Sequence, residues 1–214
     1  MNILILGGTS YVGRYIVSEC IKRKHDISIF NRNVTNNNIF PDVPRFQGDR
    51  LTNDYSSLLY EQFDVVIDTW YGEPSFCKTS IDFFKNNIHL YVYISSCSVY
   101  DIPSNLYSNY NTNQSNFGIN FYKGNEYGYK QYCINKLKCE REIYTDNEDK
   151  VLILRPGIIL GEYDNTNRFD YKSKHEAYWK NTNKKVKDFI TVEYFASHVI
   201  NSIEKNKRGV YEIS

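Results

Sequence analysis

Apolar positions along the chain fall into short runs separated by stretches of helical periodicity, and their order predicts an architecture. Residues 2–6 form an apolar run that stops at Gly7-Gly8, after which Val12, Ile16, Val17, Cys20 and Ile21 recur at the spacing of one helix face. Residues 27–30 form a second apolar run. Strand, tight turn, helix and strand within about thirty residues make a βαβ unit, and a parallel sheet follows. Further strands are expected at residues 45–46, 64–69, 90–95 and 151–155, with helices near 54–61, 75–87 and 129–144 between them. Alternation of this kind predicts an α/β fold, a doubly wound parallel sheet of the Rossmann type.

Two stretches break the alternation. Residues 104–125 are rich in asparagine and carry no sustained period, which marks a long loop inserted after the fifth strand, placed where a lid could close. Beyond Arg155-Pro156-Gly157 the chain becomes irregular and basic, regains a helical pattern over 192–203 and ends in a strand-like stretch at 210–213. The expected division is a Rossmann core over residues 1–157, interrupted by the 104–125 insert, and a small C-terminal substrate lobe with closing elements over residues 158–214.

Charge changes this picture only by exclusion. Lysine plus arginine number 26 against 25 acidic residues, a net charge of +1, so no global field draws the chain to nucleic acid or to an anionic membrane. An anionic ligand must be held locally. No run approaches about 18 apolar residues, the length of a membrane span, and a soluble cytoplasmic protein is expected. Cys20, Cys77, Cys97, Cys133 and Cys139 are odd in number and irregularly spaced, which suits reduced core thiols; with no CxxC or HExxH pattern and four scattered histidines, no metal site is expected.

Candidate chemistry begins at the first turn. Gly7, Gly8, Thr9, Ser10, Tyr11, Val12 and Gly13 lie where a strand passes into a helix, the place where backbone N–H groups and the helix dipole hold a pyrophosphate. Glycine leaves the backbone free to approach the phosphates. Dinucleotide binding is the reading. After the second strand an acidic residue would bond the ribose 2′-hydroxyl of NAD, but Asn31 and Arg32 stand there instead. A guanidinium favours a 2′-phosphate, with Arg14 and Ser10 near enough in the turn to assist, so NADP(H) is expected over NAD(H), although Asn31 suits a 2′-hydroxyl as well.

Tyr132 and Lys136 are four residues apart in a helical stretch, one turn apart on one face. To act near neutrality a tyrosine of pKa about 10 must fall by roughly three units, or about 4 kcal/mol. One cation at about 4 Å supplies that much at an effective dielectric near 20. A tyrosine and lysine on a solvated helix face give the same pattern, and Tyr127 and Tyr129 crowd the same stretch without a lysine four residues on. Ser95, Ser96 and Ser98 follow the fifth strand, where a hydroxyl can either close the strand on its own backbone or donate to a developing alkoxide.

Taken together, these motifs resemble the extended and atypical short-chain dehydrogenase/reductases, in particular the epimerase/dehydratase-like branch. The matching segments are Gly7 to Arg14 (GGTxxxGR), Asn31-Arg32, Gly48-Asp49-Arg50, Ser95 to Tyr100 (SSxSVY), Tyr132 to Glu140 (YxxxKxxCE) and Arg155 onward (RPGxIxGxxDxTxRF). Ser10 stands where many relatives have a middle glycine, and the gap from Ser96 to Tyr132 is longer than usual. The resemblance implies Tyr132 as acid/base, Lys136 as its electrostatic partner and a ligand of the nicotinamide ribose, and Ser96 as the donor to the reacting oxygen. It further implies Asp49 at the adenine and Pro156-Gly157 against the nicotinamide. Arg168 becomes a candidate clamp for an anionic substrate group, and a surface arginine equally well. Trp70 and Tyr71 fall near the cofactor mouth, where they could line it or fill the core.

Hydride transfer at a carbonyl or secondary alcohol is the leading expectation, with a small-molecule substrate, a nucleotide sugar by analogy of fold. The short C-terminal region points to a smaller substrate or to a pocket completed by self-association, a homo-oligomer. The competing class is a non-catalytic NAD(P)-binding sensor or scaffold; the intact Ser96, Tyr132 and Lys136 weigh against lost chemistry.

Overall fold

A computed structural model describes residues 1–102, 126–173, 175–180 and 182–214. The insert at 104–125 lies outside the described residues. The chain runs β1 (Asn2–Leu6), α1 (Tyr11–Lys22), β2 (Asp26–Asn31), β3 (Arg45–Gln47), β4 (Val65–Asp68), α2 (Ser75–Phe84), β5 (Leu90–Ile94), α3 (Glu126–Tyr144) and β6 (Val151–Pro156). It continues through β7 (Ile158–Leu160), β8 (Phe169–Ser173), β9 (Glu176–Trp179), β10 (Phe189–Thr191), α4 (Val192–Glu204) and β11 (Gly209–Ile213). Seven strands form one parallel sheet in the order β11-β6-β5-β4-β1-β2-β3. This is the expected doubly wound Rossmann sheet.

The apolar runs are continuous because each central strand is buried on both faces. Ile3 and Ile5 of β1 face the α1–α4 layer, whereas Leu4 and Leu6 face the α2–α3 layer, and β6 divides in the same way into Leu152/Leu154 and Val151/Ile153. Burying each such side chain contributes about 1.5–3 kcal/mol. Helix α4 packs on α1, where Arg23 reaches Glu204, Asn201 and Ser197.

The helix expected at 54–61 is replaced by a 3-10 turn at Ser56–Leu58. Asp54 draws the chain into a side-chain turn by accepting from Ser56 N (3.1 Å), and Tyr55 and Leu58 alone plug the core. The lobe after β6 is also more regular than its sequence implies. β7 pairs with β10, and β8 with β9 forms a hairpin whose Phe169 and Trp179 rings pack 4.7 Å apart over Leu160, Ala177 and Val186. The last helix and strand return to the core: β11 closes the sheet beside β6. No described helix is long and apolar enough to cross a membrane, and all five cysteines are free and buried.

Candidate active site

The crevice at the C-terminal ends of the strands opens where β1 and β4, neighbours in the sheet, send their chains to opposite faces. Gly7 and Gly8 take φ of +112° and +86°, and a Cβ on Gly8 would fall 2.7 Å from Ile29 Cγ2. One on Gly13 would fall 3.0 Å from Gly8 N, so glycine there lets α1 abut the turn. Ser10 is the N-cap of α1, yet its side chain makes no capping bond and no acidic residue occupies the first turn. The first-turn N–H groups have no intrahelical acceptor. A cradle that a Cβ would fill, ringed by uncapped N–H groups at a helix N-terminus, fits a pyrophosphate. Around it, Thr9 is buried with its carbonyl accepting from Asn36 (2.9 Å), Val12 packs on the core, and the Tyr11 hydroxyl donates to Ile159 O in the lobe (3.0 Å).

At the far end of the turn, Asn31 bonds inward. Its Nδ2 donates to Gly7 O (3.1 Å), while its Oδ1 accepts from Asn33 N (2.8 Å) and Arg45 (3.5 Å). Arg32 is exposed and makes no hydrogen bond or ion pair among the described residues. Arg14, expected to assist there, instead lies over the Tyr163 ring at 3.7 Å, which commits it to the lobe. Asp49 caps the following turn by accepting from Leu51 N (2.9 Å).

The strand ends of β4 and β5 meet α3. Lys136 is buried, and its Nζ donates to Trp70 O and Ile94 O, both at 2.6 Å, leaving one of its three donors without an acceptor among the described residues. Burial pulls its pKa down to about 8. Tyr132, one turn earlier, is half-buried beside Tyr71, with ring centroids 6.5 Å apart. Burial outweighs the pull of the adjacent Ser96 hydroxyl and the Arg168 guanidinium and holds the Tyr132 phenol above its ordinary value, opposite to the fall that acid/base work near neutrality requires. The Ser96 hydroxyl also accepts from Ser98 N (3.1 Å). The Tyr132 phenol thus lies with the Ser96 hydroxyl and within the field of Arg168, while the Lys136 ammonium, one turn along α3, is turned to the Trp70 and Ile94 carbonyls. Arg168 approaches from the lobe, held by Thr166 (2.9 Å), the Phe169 ring and, at 4.0 Å, Asp164. Pro156 ends β6, and Gly157 N donates to Ile213 O (2.9 Å), which seats the turn after β6 on β11.

A model of the NAD-dependent epimerase/dehydratase family matches residues 3–195. The chain belongs to that family. No curated protein sequence matches it. Among solved structures, all of the chain is covered by Pal from Bacillus thuringiensis, with a TM-score of 0.71, 18% identity and 78% of that protein covered. A mutant UDP-glucuronic acid 4-epimerase from Bacillus cereus, in complex with a fluorinated UDP-glucuronic acid and NAD, gives 0.68 and 15%, covering all of this chain and 77% of its own. The dTDP-glucose 4,6-dehydratase from Bacillus anthracis, in complex with NAD, gives 0.65 and 15%, again over all of this chain and 75% of the other. At such identities the likeness shows the fold.

In this epimerase/dehydratase family member the sequence pattern passes over two buried ion pairs beside the candidate site. Arg50 meets Asp68 through Nη1–Oδ1 at 2.6 Å and Nη2–Oδ2 at 2.9 Å, and Arg155 meets Glu140 through Nε–Oε1 at 3.0 Å and Nη2–Oε2 at 2.6 Å. One signal was available: Asp68 and Arg155 are lone charges at the ends of apolar strands, where a charge without a partner would not be kept. Trp70, expected either to line the cofactor mouth or to fill the core, packs its ring on the core against Phe76 and the Arg50 guanidinium, while its carbonyl receives Lys136 and its N–H donates to Asp68 (2.9 Å).

Proposed function

We propose that the chain oxidises and reduces a secondary alcohol or carbonyl carbon with bound NAD(P), as an epimerase, dehydratase or reductase, and that its substrate is a nucleotide sugar. The carrying observation is the grouping of Tyr132, Ser96 and a buried Lys136 at the strand ends beside the glycine cradle. The dinucleotide, when bound, accepts and returns hydride; proton handling falls to the protein. The Tyr132 phenol takes or gives the proton of the reacting oxygen, while the Ser96 hydroxyl donates to that oxygen. Lys136, one turn along the same face of α3, would favour the tyrosinate when protonated and offer its remaining N–H to the nicotinamide ribose. Gly7, Thr9, Ser10, Tyr11, Val12 and Gly13 would cradle the pyrophosphate, with Asp49 toward the adenine and Pro156-Gly157 toward the nicotinamide.

The substrate class is supported by relatives that act by name on UDP- and dTDP-linked sugars, and by Arg168, whose guanidinium acts on Tyr132 and meets Asp164 only at 4.0 Å, a loose pairing that an anionic substrate group could replace. NADP(H) over NAD(H) is supported by the exposed Arg32, which has no hydrogen-bond or ion-pair partner among the described residues, and by Asn31, whose amide is already engaged at both ends. Tyr132→Phe tests the assignment. Turnover, followed as absorbance at 340 nm over a panel of carbonyls and sugar nucleotides, should fall by about two orders of magnitude or more. NAD(P)H affinity should stay near that of the wild type. Undiminished turnover would sink the acid/base role, and NAD(P)H binding with no turnover on any substrate would favour a sensor.

A further inference from the structure

We propose that Glu140 and Arg155 are positioning residues for this site: their buried pair clamps the segment carrying Ser96 against the helix carrying Tyr132 and Lys136. The proposal rests on the roles given above to those three residues. Glu140 is fully buried and Arg155 is 1% exposed. Apolar side chains of similar volume would hold the same elements at least as well, so stability alone does not account for two charges in the core.

The outward bonds of the pair show what it holds. Ser95 Oγ donates to Glu140 Oε1, Cys97 Sγ lies 3.1 Å from the Arg155 carbonyl, and Arg155 Nη1 donates to the Tyr100 hydroxyl at 2.7 Å. That hydroxyl donates in turn to Glu212 on β11. Ser96 thus sits inside a short segment fastened on either side of it to one ion pair, through Ser95 and Tyr100, with Cys97 held to the Arg155 backbone. On the other side, Glu140 follows Lys136 by one helical turn and Tyr132 by two, so all three share a face of α3. A slip of α3 or of the end of β5 would separate Ser96 from Tyr132. The fork-to-fork geometry, with both carboxylate oxygens and three guanidinium nitrogens engaged, resists it.

The test needs no substrate. With tyrosine labelled with 13C at the ζ carbon, a Tyr132→Phe spectrum identifies the Tyr132 resonance at neutral pH, and Ser96→Ala shows how it moves when the Ser96 hydroxyl is lost. Glu140→Gln and Ser95→Ala are expected to shift it in the same direction as Ser96→Ala, and Tyr100→Phe by less, while NADH affinity stays within about threefold, since none of these residues lies in the cradle. Should Glu140→Gln fail to fold, Ser95→Ala and Tyr100→Phe, each lacking one hydroxyl, decide the matter. A Tyr132 resonance unmoved by both, with only the melting temperature lowered, would leave the pair a purely structural tie and overturn the proposal. A Ser96→Ala spectrum identical to the wild type would overturn the site reading and the clamp with it. Retained turnover in Tyr132→Phe strikes the acid/base assignment alone.

Discussion

Arg50–Asp68 and Arg155–Glu140 are both buried guanidinium–carboxylate pairs on the α2–α3 side of the sheet, and they spend their remaining hydrogen bonds differently. Asp68 accepts from Arg50, from the Tyr91 hydroxyl (2.7 Å) and from Trp70 N, while Arg50 turns its face to the Trp70 ring and its Nη2 to Phe76 O. That pair closes on the scaffold and reaches the site only through the Trp70 backbone that receives Lys136. Glu140 and Arg155 instead send their bonds into residues 95–100 around Ser96. Identical chemistry serves as a rivet in one place and as a clamp on the reacting groups in the other.

Stability should separate the two most widely at Asp68. Asp68→Ala leaves the Arg50 guanidinium buried without its anion, and about 3–5 kcal/mol should be lost in urea denaturation. A loss under 1 kcal/mol, to take a rough threshold from ordinary surface changes, would break the contrast. Tyr91→Phe removes one bond to the Asp68 carboxylate and should cost about 1.5–3 kcal/mol. The comparison is sharpened if the Tyr132 resonance stays in place there, since Tyr91 serves the rivet.

Lys136 stands between the pairs and adds a pH dependence. Its folded-state pKa, near 8, lies below the ordinary value of 10.5, so the folded state disfavours its charge. That penalty is complete below about pH 8 and is relieved as pH rises toward 10, where the unfolded chain binds the additional proton. Relative to Lys136→Met, the wild type should gain about 1.4 kcal/mol per pH unit across that window. A difference flat in pH would mean that the ammonium is solvated after all. The smallest stability effect belongs to Arg32, exposed and without a hydrogen-bond or ion-pair partner among the described residues. Arg32→Ala should change stability by less than about 0.5 kcal/mol, yet remove at least a tenfold preference for NADPH over NADH in fluorescence titration. Equal affinities in the wild type would refute the preference.

The sheet was legible because strands buried on both faces read as unbroken apolar runs, and the glycine turn and the Tyr132–Lys136 spacing are local patterns. The stretch at 54–61 misled because Tyr55 and Leu58 imitate a helix face while Asp54 starts a turn. Strands β8 and β9 were hidden because they bury little, Phe169 alone in β8 and Ala177 and Trp179 in β9, so that Phe169-Asp170-Tyr171-Lys172 reads as polar chain. The ion pairs were the least visible. A charge declares its role only through a partner, and Arg50 and Asp68, or Glu140 and Arg155, are joined by the folded sheet rather than by any repeat.

The strand order also predicts a sequence of assembly. β1, α1 and β2 close on one another locally, with Ile3 beside Ile27, and so do β4, α2 and β5, with Val65 beside Leu90. The seam between these halves, where Ile3 meets Val65, joins segments far apart in the chain and must await a longer closure. The whole crevice at the strand ends exists only once that seam has zipped. The β1–α1–β2 half carries the Gly7–Gly13 turn by itself, so a dinucleotide reaching from that turn to the ends of β4 and β5 would find only part of its site there, and its signature should be a slower unfolding rate with the folding rate nearly unchanged.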